Sequence, residues 1–202
     1  MHAAYDESAT LREARKAYFE VNAFGDDGGY GSAWVDFKLG PIPMPFPNTP
    51  ARVRAVRYHD LHHILTGYAT TTMGELEISA WEIGAGCKGF AAAWVLNLGG
   101  MFAGLFADPR RVFRAFVRGR RSDTLYDERL EDMLDETVGA ARRRFVRESD
   151  GRVTAADVAL FVLAQIAGLF VGLTTLAIVL PLAPIGVVVG NLSRRRAAHK
   201  TA

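Results

Sequence analysis

Two long stretches of this chain carry no charge, and the segments between them carry charge in blocks. The first runs between Lys88 and Asp108 (GFAAAWVLNLGGMFAGLFA) and the second from Val158 to Ser193. Between them, every charge from Arg110 to Arg121 is an arginine, and nearly every charge from Asp123 to Glu136 is acidic. Blocks of this kind describe surfaces rather than a fold. Val112, Phe113, Phe116 and Val117 share one face of a helix that Asp108-Pro109 can cap, opposite Arg110, Arg111, Arg114, Arg118, Arg120 and Arg121. That pattern predicts a basic amphipathic helix suited to an anionic membrane surface. An acidic helix over about 125–139 and the basic run Arg142-Arg143-Arg144 follow.

Upstream, residues 8–22 read as a short amphipathic helix with Ser8 or Thr10 available as cap. GDDGGYG (25–31) is a loop, and Pro41, Pro43, Pro45 and Pro47 on alternate positions forbid a helix and impose an extended connector. Thr49-Pro50 is an N-cap followed by Pro at the first helical position, so a helix is expected over about 50–65, stopped by Gly67. A second helix is expected after Thr70-Thr71-Thr72, with Glu75, Ser79 and Glu82 on a common face.

The tail changes character after Asp150-Gly151. Val158 to Leu180 is long enough to span a bilayer. Ala164, Gly168 and Gly172, four residues apart, form a small-residue seam for close helix packing. As one helix the uncharged tail would be about 54 Å long, and Pro181 and Pro184 interrupt it, so a re-entrant hairpin with both basic flanks on one side is the expected form. The expected architecture is all-α: an N-terminal helix and Pro-rich connector (1–49), a helical metal-binding domain (50–150), and a membrane-anchoring segment with a basic tail (151–202), in which residues 158–192 meet the membrane as a hydrophobic hairpin or a transmembrane segment.

Composition adds exclusions. Of 202 residues, 50% are hydrophobic and 23% charged, which is neither a disordered chain nor a pure membrane bundle. The single Cys87 excludes a disulfide framework and a cysteine zinc knuckle. The polar start, Met1 to Phe19, predicts a body that stays in the cytoplasm. There is no phosphate-binding Gly-rich loop and no nucleic-acid motif.

The candidate chemistry is concentrated. Three of the five histidines lie in His59-Asp60-Leu61-His62-His63, and Glu75 follows after eleven intervening residues. His59 and His63 are i and i+4 on one helix, so their rings can converge on one point, while His62 points to the opposite side. Asp60 lies on the apolar stripe, where an unpaired carboxylate is costly unless a cation or proton compensates. This is the donor set of a divalent-metal site built from His59, Asp60, His63 and Glu75. Glu75 has a second explanation, because Thr72-Met73-Gly74-Glu75 reads as a capping box. Glu82 fits a ligand, an orienter of a ligand, or a solvated side chain. The H-x-x-H-H pattern of membrane di-iron enzymes is rejected, since the only other histidines are His2 and His199. A metal-dependent phosphohydrolase lacks its further His and Asp residues.

With these residues in place, the chain resembles the coenzyme Q biosynthesis protein four family. Its signature, H-D-x-x-H, eleven residues, then E, is met by His59, Asp60, His63 and Glu75. The surroundings HDLHHILTGY, GELEISAWEIG with Glu82, an apolar Gly-rich helix and FRAFVRGRR extend the similarity over about residues 50–135. The resemblance implies a helical fold, a divalent metal usually described as zinc, and association with membrane lipid, polyprenylated quinone precursors and other ubiquinone-biosynthesis proteins. It also implies oxidative decarboxylation of the prenylated ring, with a hydroxyl replacing a carboxyl. The expected function is therefore a membrane-associated metal-binding protein of ubiquinone synthesis at the cytoplasmic face. The alternatives are a non-catalytic scaffold or prenyl-lipid-binding protein with a structural metal, and a metal-dependent hydrolase of a lipid. Self-association into a homo-oligomer is left open, and no catalytic residue is assigned.

Overall fold

The computed structural model describes residues 5–35, 38–39, 42–43, 45–148 and 151–198, with the backbone alone at 38–39, 42–43, 179–180, 182–183 and 185–198. The chain is mostly helical: α1 (Leu11–Val21), α2 (Pro50–Thr66), α3 (Thr72–Ala85), α4 (Ala91–Ala107), α5 (Pro109–Gly119), α6 (Leu130–Leu134), α7 (Val138–Phe145) and α8 (Ala155–Ala198). Between α1 and α2 lie β1 (Trp34–Val35), β2 (Lys38–Leu39), β3 (Ile42–Pro43) and β4 (Phe46–Pro47). β1 pairs antiparallel with β4 and β2 with β3, so the Pro-rich connector doubles back as a narrow ribbon. Pro tolerates this because each pair has an outer edge that needs no N–H donor. Pro41 lies outside the described residues.

Local chemistry sets the ends of the helices. Thr10 and Glu13 form a capping box on α1, and Thr49 accepts from the Arg52 N–H before Pro50. Gly67 ends α2 at φ 77°, a left-handed cap that glycine adopts without a Cβ penalty. The α2 C-terminal carbonyls are then read by arginines. Arg142 donates to Ile64 and Leu65, and Arg118 donates to Thr66.

α3 and α5 pack so closely that their backbones touch. A Cβ on Gly119 would lie 2.1 Å from the Trp81 carbonyl oxygen, and one on Gly84 would lie 2.2 Å from that of Phe116. Val112, Phe116 and Val117 are buried, with Val112 against Gly104 of α4 and the Phe116 ring against Phe161 of α8. The surface-helix expectation for α5 is thereby corrected, since the apolar face meant for a membrane is spent inside the protein. Its arginines are also largely engaged. Arg111 pairs with Glu77, Arg118 with Glu148, and Arg120 and Arg121 with Asp157. The acidic segment is not one helix either. It divides into a 3-10 turn (Leu125–Asp127), α6 and the start of α7, with Thr137 capping α7.

The tail departs from the hairpin expectation. Among the described residues α8 continues as helix through Pro181 and Pro184 to Ala198. A turn inside an apolar run would leave several backbone groups without partners, whereas a proline in a helix removes only one ladder bond. Ala155–Ile178 is long and apolar enough to cross a membrane. Its inner stripe follows the small-residue seam. Ala164 packs on the core, and a Cβ on Gly168 would meet the Leu98 carbonyl at 2.6 Å, so α8 lies tight against α4. Phe161 sets its ring edge-on to Phe113 and Phe116. Thr154 and Asp157 cap each other at the helix start, where Arg120 holds Asp157 at 2.7 Å.

The α3–α5 contact carries a direct test. Gly119→Ala forces the two backbones apart, and by the usual scale of overpacking it should cost about 1–3 kcal/mol or more. Thermal unfolding of the detergent-solubilised protein measures this, and an unchanged midpoint would contradict the packing described.

Candidate metal centre

Two turns of α2 and the first turn of α3 form the site. His59 and His63 project from α2 with Nε2 atoms 3.2 Å apart. Glu75 of α3 reaches both: Oε2 is 3.4 Å from His59 Nε2 and Oε1 is 3.3 Å from His63 Nε2. His59, His63 and Glu75 each offer one ligand atom, all within 4.8 Å of one another, and this group could hold a metal ion. A tetrahedral zinc with its usual bond lengths spaces its donor atoms by about 3.3 Å.

The opposite edge of each ring explains why this geometry calls for a cation. His63 Nδ1 lies 2.8 Å from the Tyr68 carbonyl oxygen, which only an N–H can satisfy. His59 Nδ1 lies 2.8 Å from Glu82 Oε1, again an acceptor. Both Nδ1 atoms are therefore donors, and in the neutral rings both Nε2 atoms present lone pairs to each other and to a carboxylate. Three electron-rich groups at 3.2–3.4 Å repel unless a positive charge sits among them. Burial disfavours the charged form of His59, but Glu82 and Glu75 outweigh it and raise its pKa well above the ordinary value. For Glu75, burial works upward, yet the hydrogen bonds from His59 and His63 hold it far below the usual carboxylate range. A divalent ion held by the three groups would supply the charge that a proton otherwise brings.

Glu82 is the group that orients the site. It is fully buried, and four donors converge on it. His59 and His62 give Nδ1–H to Oε1 at 2.8 Å each, Tyr126 gives its hydroxyl to Oε2 at 2.6 Å, and Asn97 gives its amide to Oε2. Burial pushes the Glu82 carboxyl up, but the imidazole donors outweigh this and hold it well below its ordinary value. His62 belongs to this network and not to the triad. Its Nε2 accepts from the Leu125 backbone N–H at 2.9 Å, which fixes the Nδ1–H tautomer. Burial lowers its pKa, consistent with a neutral ring.

Asp60 lies apart from the triad. Tyr30 donates to its Oδ2 at 2.5 Å and Tyr18 to its Oδ1 at 3.4 Å, so two phenols from the N-terminal region hold it. Burial raises the Asp60 pKa, with the Tyr30 hydrogen bond acting in the opposite sense. Tyr18 also stacks on the His63 ring, with centroids 5.8 Å apart. Of the four residues expected from the sequence, the structure thus brings three together and places Asp60 beside them in a tyrosine cradle. The capping-box explanation of Glu75 falls away. The cap of α3 is Thr71, which accepts from the Gly74 N–H, one residue earlier than Thr72. Glu75 is therefore one position past the box, and its carboxylate is free to face the histidines.

Asn97, Tyr126, Tyr68, Tyr18 and Tyr30 were not singled out by their spacing. Only Asn97 carries a sequence signal, as the one amide in an uncharged apolar run, where a polar side chain needs a partner. Tyr18, Tyr30 and Tyr126 converge from distant segments and have no local signature, while Tyr68, the last residue of HDLHHILTGY, serves the site through its backbone carbonyl.

A cavity of about 470 Å³ opens on the site, lined by His59, Asp60 and Glu75 and otherwise mostly by apolar side chains. Replacing Glu82 with Gln keeps the shape and removes the charge that orients His59. Metal affinity should fall roughly 10–100-fold, measured by chelator competition, while the circular dichroism spectrum is retained. Because the His59 pKa is raised, protons should compete with the metal from above an imidazole's ordinary value of about 6.5. Apparent affinity should therefore drop as pH falls through and below neutrality, and a flat profile from pH 8 to 6 would contradict the assignment. No family model, no curated protein and no solved structure matches this chain.

Proposed function

We propose that this is a membrane-associated metalloprotein acting on a prenylated aromatic precursor of ubiquinone at the cytoplasmic face of the membrane. The observation that carries the reading is the pair of facing histidine Nε2 atoms, 3.2 Å apart and closed by Glu75, at an apolar cavity. Both rings are pre-set by acceptors on their far edges, the arrangement that tunes metal ligands. Zinc suits a set of two imidazoles and one carboxylate, and three protein donors leave a position open. When bound, such an ion acts as a Lewis acid toward an oxygen of the aromatic head. His59, His63 and Glu75 hold it, Glu82 keeps His59 turned toward it, and Tyr18 and Tyr30 keep Asp60 at the cavity wall. Oxidative decarboxylation, the reaction implied by the His59-Asp60-x-x-His63 resemblance, is a two-electron oxidation that releases the ring carboxyl as carbon dioxide and installs a hydroxyl. It balances with water as the source of the hydroxyl oxygen and dioxygen as the external oxidant, reduced to hydrogen peroxide.

The membrane side of the proposal rests on α8. Ten of its large apolar side chains between Val158 and Ile178 are exposed, among them Leu163 at 60% and Phe170 at 65%. With about half of each side chain in water, each forfeits on the order of 1 kcal/mol of transfer free energy, and a bilayer removes that cost.

A second reading is favoured by the Glu82 network, which ties α2, α3 and α4 together: the metal pins helices in a scaffold and performs no chemistry. His63→Ala separates the two. On the first reading the variant loses bound metal and ubiquinone production in a complementation assay, yet stays folded and membrane-bound. Loss of folding together with the metal supports the scaffold. Purified protein with no transition metal by elemental analysis, and the same result for the variant, would sink both.

A further inference from the structure

The triad accounts for only part of its cavity. Along α2 the lining runs from Arg52 through Ala55 and Val56 to His59 and Asp60. Arg52 and His59 are seven residues apart, two turns on the same face, or about 10.5 Å along the axis. Arg52 is half-buried, and among the described residues no carboxylate pairs with it. Its Nη1 donates to the neutral Asn48 Oδ1 at 2.8 Å, its plane lies over the Phe46 ring at 5.7 Å, and its buried Nε has no acceptor. Asp60, the acid whose field it feels, has both oxygens taken by Tyr18 and Tyr30. The first turn of α2 contains no acidic residue. Burial works against the charge of this guanidinium and lowers its pKa. A desolvated cation without a counter-charge is costly to the protein alone, and the cost is relieved when an anion arrives.

We propose that Arg52 is the anion anchor of this cavity, taking a carboxylate or phosphate oxygen of an amphipathic ligand whose apolar part lies against Val35, Phe46, Val56 and Leu96. The proposal deepens the reading above by naming the group that recognises its ligand, and it rests on that reading only for the ligand's amphipathic class. Val35 and Phe46 come from the β1–β4 pair and Leu96 from the outer side of α4, so the ligand would be enclosed by three separate elements. Leu96 lines the cavity and is 44% exposed, which gives the apolar part a way out to the surface beside α4.

The test is equilibrium binding to zinc-loaded, full-length protein in neutral detergent. Three probes are titrated calorimetrically: a dodecyl-substituted hydroxybenzoate, its methyl ester, and dodecyl phosphate. The wild type should prefer the anionic probes to the ester, and the tighter of the two anions identifies the headgroup. Arg52→Gln should weaken the anionic probes roughly tenfold or more, on the scale of a hydrogen bond to a charged group, and leave the ester unchanged. Arg52→Lys should restore part of the loss. Equal wild-type affinity for acid and ester would overturn the proposal. So would an equal loss for all three probes in Arg52→Gln, which would make Arg52 a prop for Phe46 and Asn48. Unchanged anion binding in Arg52→Gln that disappears on metal removal would place the anion on the metal instead. If Arg52→Gln does not fold, the acid-versus-ester comparison is repeated on metal-free wild type, where a retained preference supports Arg52 and a lost one places the anion on the metal. Zinc content and quinone production are read separately, so failure here is distinct from failure of the His63→Ala experiment.

Discussion

A single buried carboxylate organises this protein. Glu82 lies on α3, yet its four donors come from α2, α4 and the turn before α6. An ionised carboxylate cannot be left in a protein interior without full compensation, since desolvation alone costs several kcal/mol. The four donors therefore have to arrive together, and their backbones are fixed relative to one another when they do. His59 owes its ring orientation to this requirement. The close α3–α5 contact at Gly84 and Gly119 holds the other side of α3, so the residue at the centre is clamped from both faces.

The parts of this structure legible in the sequence are those governed by neighbours along the chain. Thr49-Pro50 and Gly67 bound α2 within a residue of expectation, because a cap and a left-handed glycine act locally. The i, i+4 convergence of His59 and His63 follows from helix geometry alone. The Ala164–Gly168 seam found its partner on α4 for the same reason: small residues at four-residue spacing leave a groove whatever fills it. What failed was decided by distant segments. Asp60 was grouped with the histidines by proximity on α2, and the sequence did not show that Tyr30, thirty residues away, hydrogen-bonds it. The cap of α3 slid by one residue among three consecutive threonines, a choice that propensity cannot make. The acidic segment begins with Leu125 giving its N–H to His62, sixty-three residues away, and a new helix is capped at Thr137.

The arginines of α5 show how a surface pattern can be misread. Six of them opposite an apolar face describe a membrane-binding helix by composition. In the structure the apolar face is buried inside the protein, and the charges serve other ends: a bidentate hold on Glu77, a cap for the α2 carbonyls, and a clamp on Asp157 at the start of α8. The same amphipathicity suits an internal helix and an interfacial one. Only the burial of Val112, Phe116 and Val117 separates them.

α4 is a partition one helix thick, about 10 Å across. Ala93 and Asn97 face the cavity, Gly100 and Gly104 lie against Ser79 and Val112, and Leu98 and Phe102 face α8. Its side chains thus belong to three different neighbourhoods at once, and two of its positions have no room for a side chain at all. A Cβ at Gly100 would lie 2.4 Å from the Ser79 hydroxyl oxygen. The segment with the plainest composition in the chain thus holds two positions, Gly100 and Gly104, where any larger residue makes a neighbour shift. Drift in its sequence would register simultaneously in the polar cluster on one side and in the seating of the long tail helix on the other.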